Sequence, residues 1–299
     1  MPKTTSKRTL ILADIGLLYA AGIWGATFFI VKSTLADIDP VVLVGYRFLL
    51  AGLGLLVYVK MSGRRLTTGL KQAAVLGCLL WTLYIPQTMG LQYTTASNSG
   101  FITGLFVAFV PLFLLTIFKR RPTVAEMAAS AISLAGLWVI TGGLVDINVG
   151  DMLTVITAIA YAMHLLYADK YMKNGIDPFV SACQQFLIVG ILSLITALVF
   201  DLPFGITSNR AIWMVIFLAV FPTLSAFVIQ MTAQKIARPL RVSLIFALEP
   251  VFAAMFAWTL GGEAFVLHRA LGGLLIFAAL VISGMPHPDA IRRKANNNR

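Results

Sequence analysis

The chain has 299 residues, of which 59% are hydrophobic and 12% are charged. A soluble domain carries roughly 25% charged residues, so this composition excludes a soluble globular protein and indicates a polytopic membrane protein. The net charge of +11 does not indicate a nucleic-acid partner, because nearly all basic residues fall in short connections between apolar stretches.

Ten apolar stretches follow one another along the chain, each long enough to cross a hydrocarbon core of roughly 30 Å as a helix. They are residues 12–33, 40–59, 71–93, 97–118, 123–142, 150–170, 178–200, 211–234, 241–260 and 267–284. The connections are short, which favours antiparallel neighbours. The sequence therefore predicts an all-α integral membrane protein with ten transmembrane helices.

The basic residues are divided unequally between alternate connections. With the N-terminus in the cytoplasm, 19 basic residues fall on the cytoplasmic side and three, Lys32, Arg210 and Arg269, on the outer side. Cytoplasmic loops of membrane proteins carry such an excess of Lys and Arg. The count predicts that both termini are cytoplasmic. Removing one span would reverse every later loop, so the same count supports ten crossings.

Helix-breaking residues recur at nearly one period. The pairs are Pro40 with Pro178, Pro86 with Pro222, and Pro111 with Pro250, at spacings of 138, 136 and 139 residues. Three pairs in register predict two related halves, residues 1–145 and 146–285, followed by a polar tail at 286–299. Because each half has five spans, the second half runs inverted relative to the first. Inverted five-helix repeats around a central cavity are typical of transporters.

One motif lies inside the ninth span. Leu244 to Ala254 reads L-I-F-A-L-E-P-V-F-A-A, with Gly262-Glu263 and Gly272-Gly273 after it, and the first half carries Gly90-Leu-Gln-Tyr-Thr-Thr-Ala96. Together these segments resemble the EamA-type permeases of the drug/metabolite transporter superfamily over nearly the whole chain. The sequence departs from that pattern at Lys119-Arg120-Arg121-Pro122, where the family usually has a Gly-Glu pair. The resemblance implies a secondary exporter of small metabolites in the inner (cytoplasmic) membrane of a bacterium, with aromatic or bulky apolar amino acids as the narrower expectation.

Polar and aromatic side chains at mid-depth are the candidates for binding a substrate. Aromatic rings take the apolar part of an amphipathic solute, and hydroxyl and amide groups take its polar head. The predicted substrate-binding residues are Trp24, Thr27, Tyr84, Gln87, Asn98, Tyr161, His164, Tyr167, Gln185 and Ser243. Tyr161, His164 and Tyr167 are spaced to share roughly one helix face. The structural alternative is that such residues hold helices together.

A second set is predicted to be structural or to take part in coupling: Arg47, Pro86, Pro111, Pro222, Glu249 and Pro250. An ionisable residue within a membrane span is costly and needs a partner. For Arg47 three hypotheses stay open: it extends toward the outer surface, bonds Asn98 or Gln92, or attracts a substrate carboxylate. For Glu249 two stay open, proton cycling and hydrogen bonding to backbone exposed by Pro250, and the sequence favours the second.

The competing classes are an enzyme, a channel and a scaffold. No metal-ligand spacing joins the three histidines and no phosphate-binding loop appears, so the sequence predicts no enzyme activity, no metal and no cofactor. The expected partners are a small-molecule substrate and the lipid bilayer, without nucleic acid. Since the two halves can complete the fold within one chain, a monomer suffices.

A channel or a scaffold would have the same ten helices but would not carry out coupled transport. For a transporter, the alternative substrate is another metabolite or drug class.

Overall fold

The computed structural model describes residues 7–141, 148–259, 265 and 267–284, and in these ranges the regular structure is helical throughout. Seven predicted spans form single helices: α1 (Lys7–Thr34), α2 (Pro40–Met61), α3 (Leu70–Gly90), α6 (Val124–Thr141), α7 (Val149–Lys173), α8 (Pro178–Val199) and α13 (Leu267–Gly284). The other three are divided: α4 (Ala96–Gly104) with α5 (Phe106–Thr116), α9 (Asn209–Leu218) with α10 (Ala226–Gln234), and α11 (Pro239–Phe246) with α12 (Glu249–Thr259). The predicted ten-span arrangement is confirmed. Both predicted domain boundaries and the polar tail lie outside the described residues.

Length and composition agree with a membrane location. Eight helical segments are long and apolar enough to cross a bilayer, and two shorter apolar helices, Val124–Val139 and Ala270–Ile282, lie in α6 and α13. Large apolar side chains such as Phe29, Val57 and Leu198 are 53%, 58% and 72% exposed along these helices. Such an outward apolar surface is stable against lipid chains and unstable against water.

Equivalent helices of the two halves begin in the same way. The Asp39 carboxylate accepts from the Val41 N–H at 2.8 Å, and the Asp177 carboxylate accepts from the Phe179 N–H at 2.9 Å. In both cases proline follows as the first helical residue, where its missing N–H costs nothing. The repeat predicted from the prolines at 40 and 178 is therefore a repeat of local structure.

Equivalent helices also pack against each other across the middle of the bundle. The main contacts join α2 to α8 and α6 to α13. At Gly136 of α6 a Cβ atom would lie 2.7 Å from the Gly272 carbonyl oxygen of α13, so glycine is required for this close approach. Contact between equivalent helices is what an inverted repeat produces around its axis in the membrane plane.

The prolines interrupt their helices unequally. Pro222 lies in a π-helical segment, Ala219–Ser225, between α9 and α10. Pro250 follows a break at residues 247–248. Pro111 lies inside α5, and the break in its span is at Leu105. Pro86 lies within the continuous α3, so the expected interruption there is absent. A proline removes one backbone hydrogen bond, and a membrane helix tolerates this loss when neighbouring groups pair with the freed carbonyl.

One end of the bundle carries most of the basic connections, at residues 62–69, 117–123, 174–177 and 235–238, and is called the basic end. Four ion pairs at or near this end join the first half of the chain to the second. They are Arg64 with Asp177, Arg120 with Asp169 at 3.7 Å, Glu126 with Arg238 at 3.6 Å, and Asp14 with Arg241 at 2.7 Å. Side chains of opposite charge from the two halves therefore meet at this end.

Candidate functional site

A small internal cavity lies where helices of both halves meet. Its wall consists of Trp24, Thr27, Leu83, Tyr84, Gln87, Tyr161, Phe227 and Glu249. The cavity volume is about 20 Å³, which is room for a water molecule. Six wall residues are among those predicted from the sequence as binding, structural or coupling residues. Leu83 and Phe227 were not predicted.

Aromatic rings form one side of this cavity. The Trp24 ring centroid lies 5.1 Å from that of Phe227, 4.9 Å from that of Phe246 and 6.4 Å from that of Tyr161. The Trp24 indole N–H donates to the Pro222 carbonyl oxygen at 2.6 Å. This acceptor lies in the π-helical segment, so the irregular backbone fixes the orientation of the tryptophan ring.

Two polar groups in the wall are buried without a hydrogen-bond partner among the described residues: the Tyr161 hydroxyl and Glu249 Oε2. In contrast, the Gln87 amide donates to Thr103 Oγ1 at 3.1 Å and the Thr27 hydroxyl donates to the Trp24 carbonyl at 2.7 Å. An unpaired buried polar atom costs about 1–3 kcal/mol. The wall therefore offers a carboxyl oxygen and a hydroxyl to a bound polar molecule.

Glu249 is held at this wall by the break in its span. It is the first residue of α12, directly after residues 247–248, where the helix is interrupted. A Cβ atom on Gly25 of α1 would lie 2.6 Å from the Glu249 carbonyl oxygen. Only glycine allows α1 to approach the broken backbone this closely, and this contact positions the carboxyl of Glu249 beside the cavity.

Arg47 is buried behind the cavity wall, with 3% of its surface exposed. Its Nε donates to Thr223 Oγ1 at 2.5 Å, and its guanidinium carbon lies 4.7 Å from the centroid of the Tyr84 ring. The hypothesis that Arg47 extends to the surface is wrong, because Thr223 and the Tyr84 ring supply partners inside the bundle. Asn98 and Gln92 are not its partners. No carboxylate pairs with Arg47 within the described residues.

The remaining predicted binding residues are not part of the wall of this cavity. His164 is fully buried, and its Nε2 lies 2.8 Å from Gln185 Oε1. The Gln185 amide nitrogen donates to the Ser181 carbonyl oxygen at 3.0 Å, so this pair links α7 to α8. Tyr161, His164 and Tyr167 do not share one environment.

Tyr167 makes a contact with the segment after α5, and Asn98 and Ser243 make contacts within or near their own helices. Tyr167 packs its ring against Phe118, with centroids 5.2 Å apart. The Asn98 backbone N–H donates to Thr95 Oγ1 at 3.0 Å, at the start of α4, and the Ser243 hydroxyl donates to the Leu240 carbonyl oxygen at 2.8 Å. Their contact with a substrate stays a prediction.

The comparisons with known proteins agree with this architecture. A family model described as the EamA-like transporter family matches the chain twice, at residues 11–142 and 148–285. A solved crystal structure with 16% sequence identity superimposes with a TM-score of 0.78 over 91% of this chain and 97% of that one, which shows the same fold.

Relatives of similar length are named as transporters. One from Archaeoglobus fulgidus, called an uncharacterized transporter, is 29% identical over 91% of this chain and 85% of its own length. The uncharacterized inner membrane transporter YedA of Escherichia coli is 26% identical over 91% of both chains. A probable amino-acid metabolite efflux pump of Salmonella typhimurium is 25% identical over 87% of this chain and 91% of its own length. Given the double family match and the membrane-spanning helices, this chain is an integral membrane protein that belongs to the EamA-like transporter family.

Proposed function

We propose that this transporter exports small amphipathic zwitterions, with aromatic or bulky apolar amino acids as the leading class, by alternating access. The observation that carries the proposal is a pair of ionisable side chains, one acidic in the wall of the aromatic cavity and one basic behind it, both buried. Arg47 and Glu249 are 3% and 6% exposed, and neither has an ion-pair partner within the described residues. A zwitterion supplies one group of each sign, and its apolar side chain suits the aromatic wall.

The groups divide naturally between the two ends of such a solute. Glu249 Oε2 and the Tyr161 hydroxyl accept hydrogen bonds from an ammonium group, and the surrounding rings add cation–π attraction. Arg47 suits a carboxylate, which the planar guanidinium binds through two parallel bonds. The Tyr84 ring stands between Arg47 and the cavity, so a carboxylate reaches Arg47 when that ring moves.

The volume supports a cycle that includes an open state. Small-molecule sites have volumes of about 300–1,000 Å³, whereas this cavity has about 20 Å³. On this proposal the small volume represents a closed arrangement, and transport requires the halves to separate at one end and then at the other. We place the basic end on the cytoplasmic side of the inner (cytoplasmic) membrane and both termini in the cytoplasm, from the unequal distribution of Lys and Arg. The relative named as an amino-acid metabolite efflux pump supports the outward direction.

Counterflow into proteoliposomes tests the substrate class. Radiolabelled phenylalanine is the probe, with unlabelled phenylalanine, phenethylamine and 3-phenylpropionate as competitors. We expect saturable exchange in which phenylalanine competes well, while each analogue, lacking one charged group, competes about tenfold less well or worse.

Charge-removing variants assign the two ends. Phenethylamine lacks the carboxylate assigned to Arg47, so Arg47→Gln should reduce the difference in competition between phenylalanine and phenethylamine. 3-Phenylpropionate lacks the ammonium group assigned to Glu249, so Glu249→Gln should reduce the difference between phenylalanine and 3-phenylpropionate. Arg210→Gln and Asp201→Asn remove exposed charges of the same types and serve as matched controls. Equal competition by all three compounds would contradict the zwitterion site. Linear flux would indicate a channel, and the absence of any flux a scaffold, an enzyme or another substrate class.

A further inference from the structure

A second cavity, of about 350 Å³, lies at the basic end and shares no lining residue with the aromatic cavity. Four cations line it, Arg120, Arg121, Lys173 and Arg238, together with one carboxylate, Glu126. We call this cavity the basic pocket. Arg120, Arg121 and Glu126 come from the first half of the chain, and Lys173 and Arg238 from the second.

The carboxylates near these cations are already engaged. Glu126 Oε2 accepts from the Thr123 N–H at 2.8 Å and from its hydroxyl at 2.9 Å, which caps α6. Its other oxygen lies 3.6 Å from Arg238 Nη1. Asp169 accepts a hydrogen bond from Lys173, and its second oxygen lies 3.7 Å from Arg120 Nη1.

The arginines are therefore incompletely paired. Charged hydrogen bonds are about 2.7–2.9 Å long, so Arg120 and Arg238 are held loosely at 3.7 and 3.6 Å. No hydrogen bond or ion pair engages the Arg121 side chain within the part of the chain that the structure describes. Four cations against two carboxylates leave a net charge of +2 at this site.

The basic segment begins with a tight turn of the backbone. Lys119 has a φ of 53°, which is rare for a residue other than glycine. The turn directs the Arg120 N–H onto the Leu114 carbonyl oxygen at 2.8 Å. Pro122 and Pro239 line the pocket on either side and restrict the chain further. The Lys119-Arg120-Arg121-Pro122 sequence, where the EamA-type pattern usually has Gly-Glu, thus forms one wall of the basic pocket.

We propose that the basic pocket binds a phosphate-bearing anion. Arginine forks match two phosphate oxygens. The net charge of +2 attracts a phosphate monoester, with about two negative charges, and the singly charged headgroup of an anionic phospholipid. A bound anion would contact both halves at once and so hold the basic end closed. It would also act on α11, which starts at Pro239 beside the pocket and ends at Phe246, next to the break before Glu249.

The test uses the purified full chain in a neutral detergent and measures the unfolding temperature. The added probes are sn-glycerol 3-phosphate, phosphatidylglycerol and phosphatidylcholine, with sodium chloride at matched ionic strength. We expect saturable stabilisation by at least one of the two phosphate anions beyond that by phosphatidylcholine and chloride. Stabilisation by phosphatidylglycerol alone assigns a lipid headgroup, and stabilisation by glycerol phosphate assigns a soluble phosphate monoester.

The variant Arg121→Gln/Arg238→Gln is expected to bind the active probe about tenfold more weakly or worse. Lys60→Gln/Arg65→Gln removes two exposed cations at the same end outside the pocket, and it should bind as the wild type does. If the double variant does not fold, the same binding measurement is made with Arg121→Gln alone, which removes no hydrogen bond present in the structure. No specific stabilisation by either anion, or equal loss of affinity in the pocket and control variants, would overturn the proposal.

Discussion

Glu249 shows how the structure changes the interpretation of a single residue. From the sequence, its favoured role is to hydrogen-bond backbone freed by Pro250. Within the described residues its Oε2 is buried and has no hydrogen-bond partner. Backbone hydrogen bonding through that oxygen therefore does not account for the residue, and binding of a substrate ammonium or proton cycling accounts for it better.

Glu249→Gln is expected to insert normally and to unfold at or above the wild-type temperature, because a neutral amide costs less to bury than an unpaired carboxylate. Phenylalanine exchange should weaken by about tenfold or more. Exchange kinetics and thermal unfolding check this, with Asp201→Asn as the exposed control. If Glu249→Gln abolished flux driven by a pH gradient but left exchange intact, Glu249 would be the proton carrier instead.

Polar cavity residues were predictable where the residue type is unusual in a membrane span. Tyr84, Tyr161 and Glu249 were found because polar groups at mid-depth are costly. Phe227 was missed, since one phenylalanine in an apolar helix looks like any other. The partner of Arg47 was also missed: Thr223 lies 176 residues away, and the contact depends on how α2 packs on the π-helical segment.

At the scale of elements, a proline marks an irregular position without fixing its form. Pro86 and Pro222 occupy equivalent places, yet α3 is continuous and the eighth span contains a π-helical segment. In that segment the Thr223 hydroxyl donates to the Leu218 carbonyl at 2.7 Å, and Trp24 donates to the Pro222 carbonyl. These stabilising contacts include groups distant in sequence, so the proline pattern alone could not distinguish the two outcomes.

Gly25→Ala is expected to disrupt the contact between α1 and the break at Glu249. The new methyl would lie 2.6 Å from the Glu249 carbonyl oxygen and 2.8 Å from Phe252 Cβ, so the backbone has to shift. Overpacking of this kind costs about 1–3 kcal/mol. A lower unfolding temperature and reduced exchange should follow. Gly205→Ala meets no atom within 4 Å and is the matched control; equal behaviour of the two variants would refute this role of Gly25.

At the scale of the molecule, the alternating charge pattern predicted the number of spans, and orientation follows from the same pattern. In a background with Cys78 and Cys183 replaced, Ala36→Cys and Gly205→Cys should react with an impermeant thiol reagent added to intact cells. Arg65→Cys, Arg121→Cys and Asn174→Cys should react only after permeabilisation, because cytoplasmic connections carry the basic residues. Labelling of position 121 from outside would invert the topology.

The four ion pairs between the halves lead to a prediction about gating. Of these four pairs, Asp14 and Arg241 alone form two hydrogen bonds, with Nε–Oδ1 and Nη2–Oδ2 distances of 3.0 and 2.7 Å. Both side chains are partly exposed, so solvent limits the pair to about 1 kcal/mol. A change of about 1 kcal/mol still changes the ratio of closed to open states at the basic end about fivefold.

Arg241→Asp should therefore open the basic end, since it replaces an attraction with repulsion between two carboxylates. A cysteine introduced at Thr27, on the cavity wall, reports the opening through its reaction rate with an impermeant thiol reagent applied from the basic end. We expect the rate to rise about fivefold or more in Arg241→Asp and to return toward the starting value in Asp14→Arg/Arg241→Asp, where the pair is restored with exchanged charges. Arg65→Asp changes the same charge at an exposed position and should leave the rate unchanged. If the rate rose equally in Arg65→Asp, the effect would be due to surface charge. If Arg241→Asp left the rate unchanged, packing of the helices, and not the ion pairs, would keep this end closed.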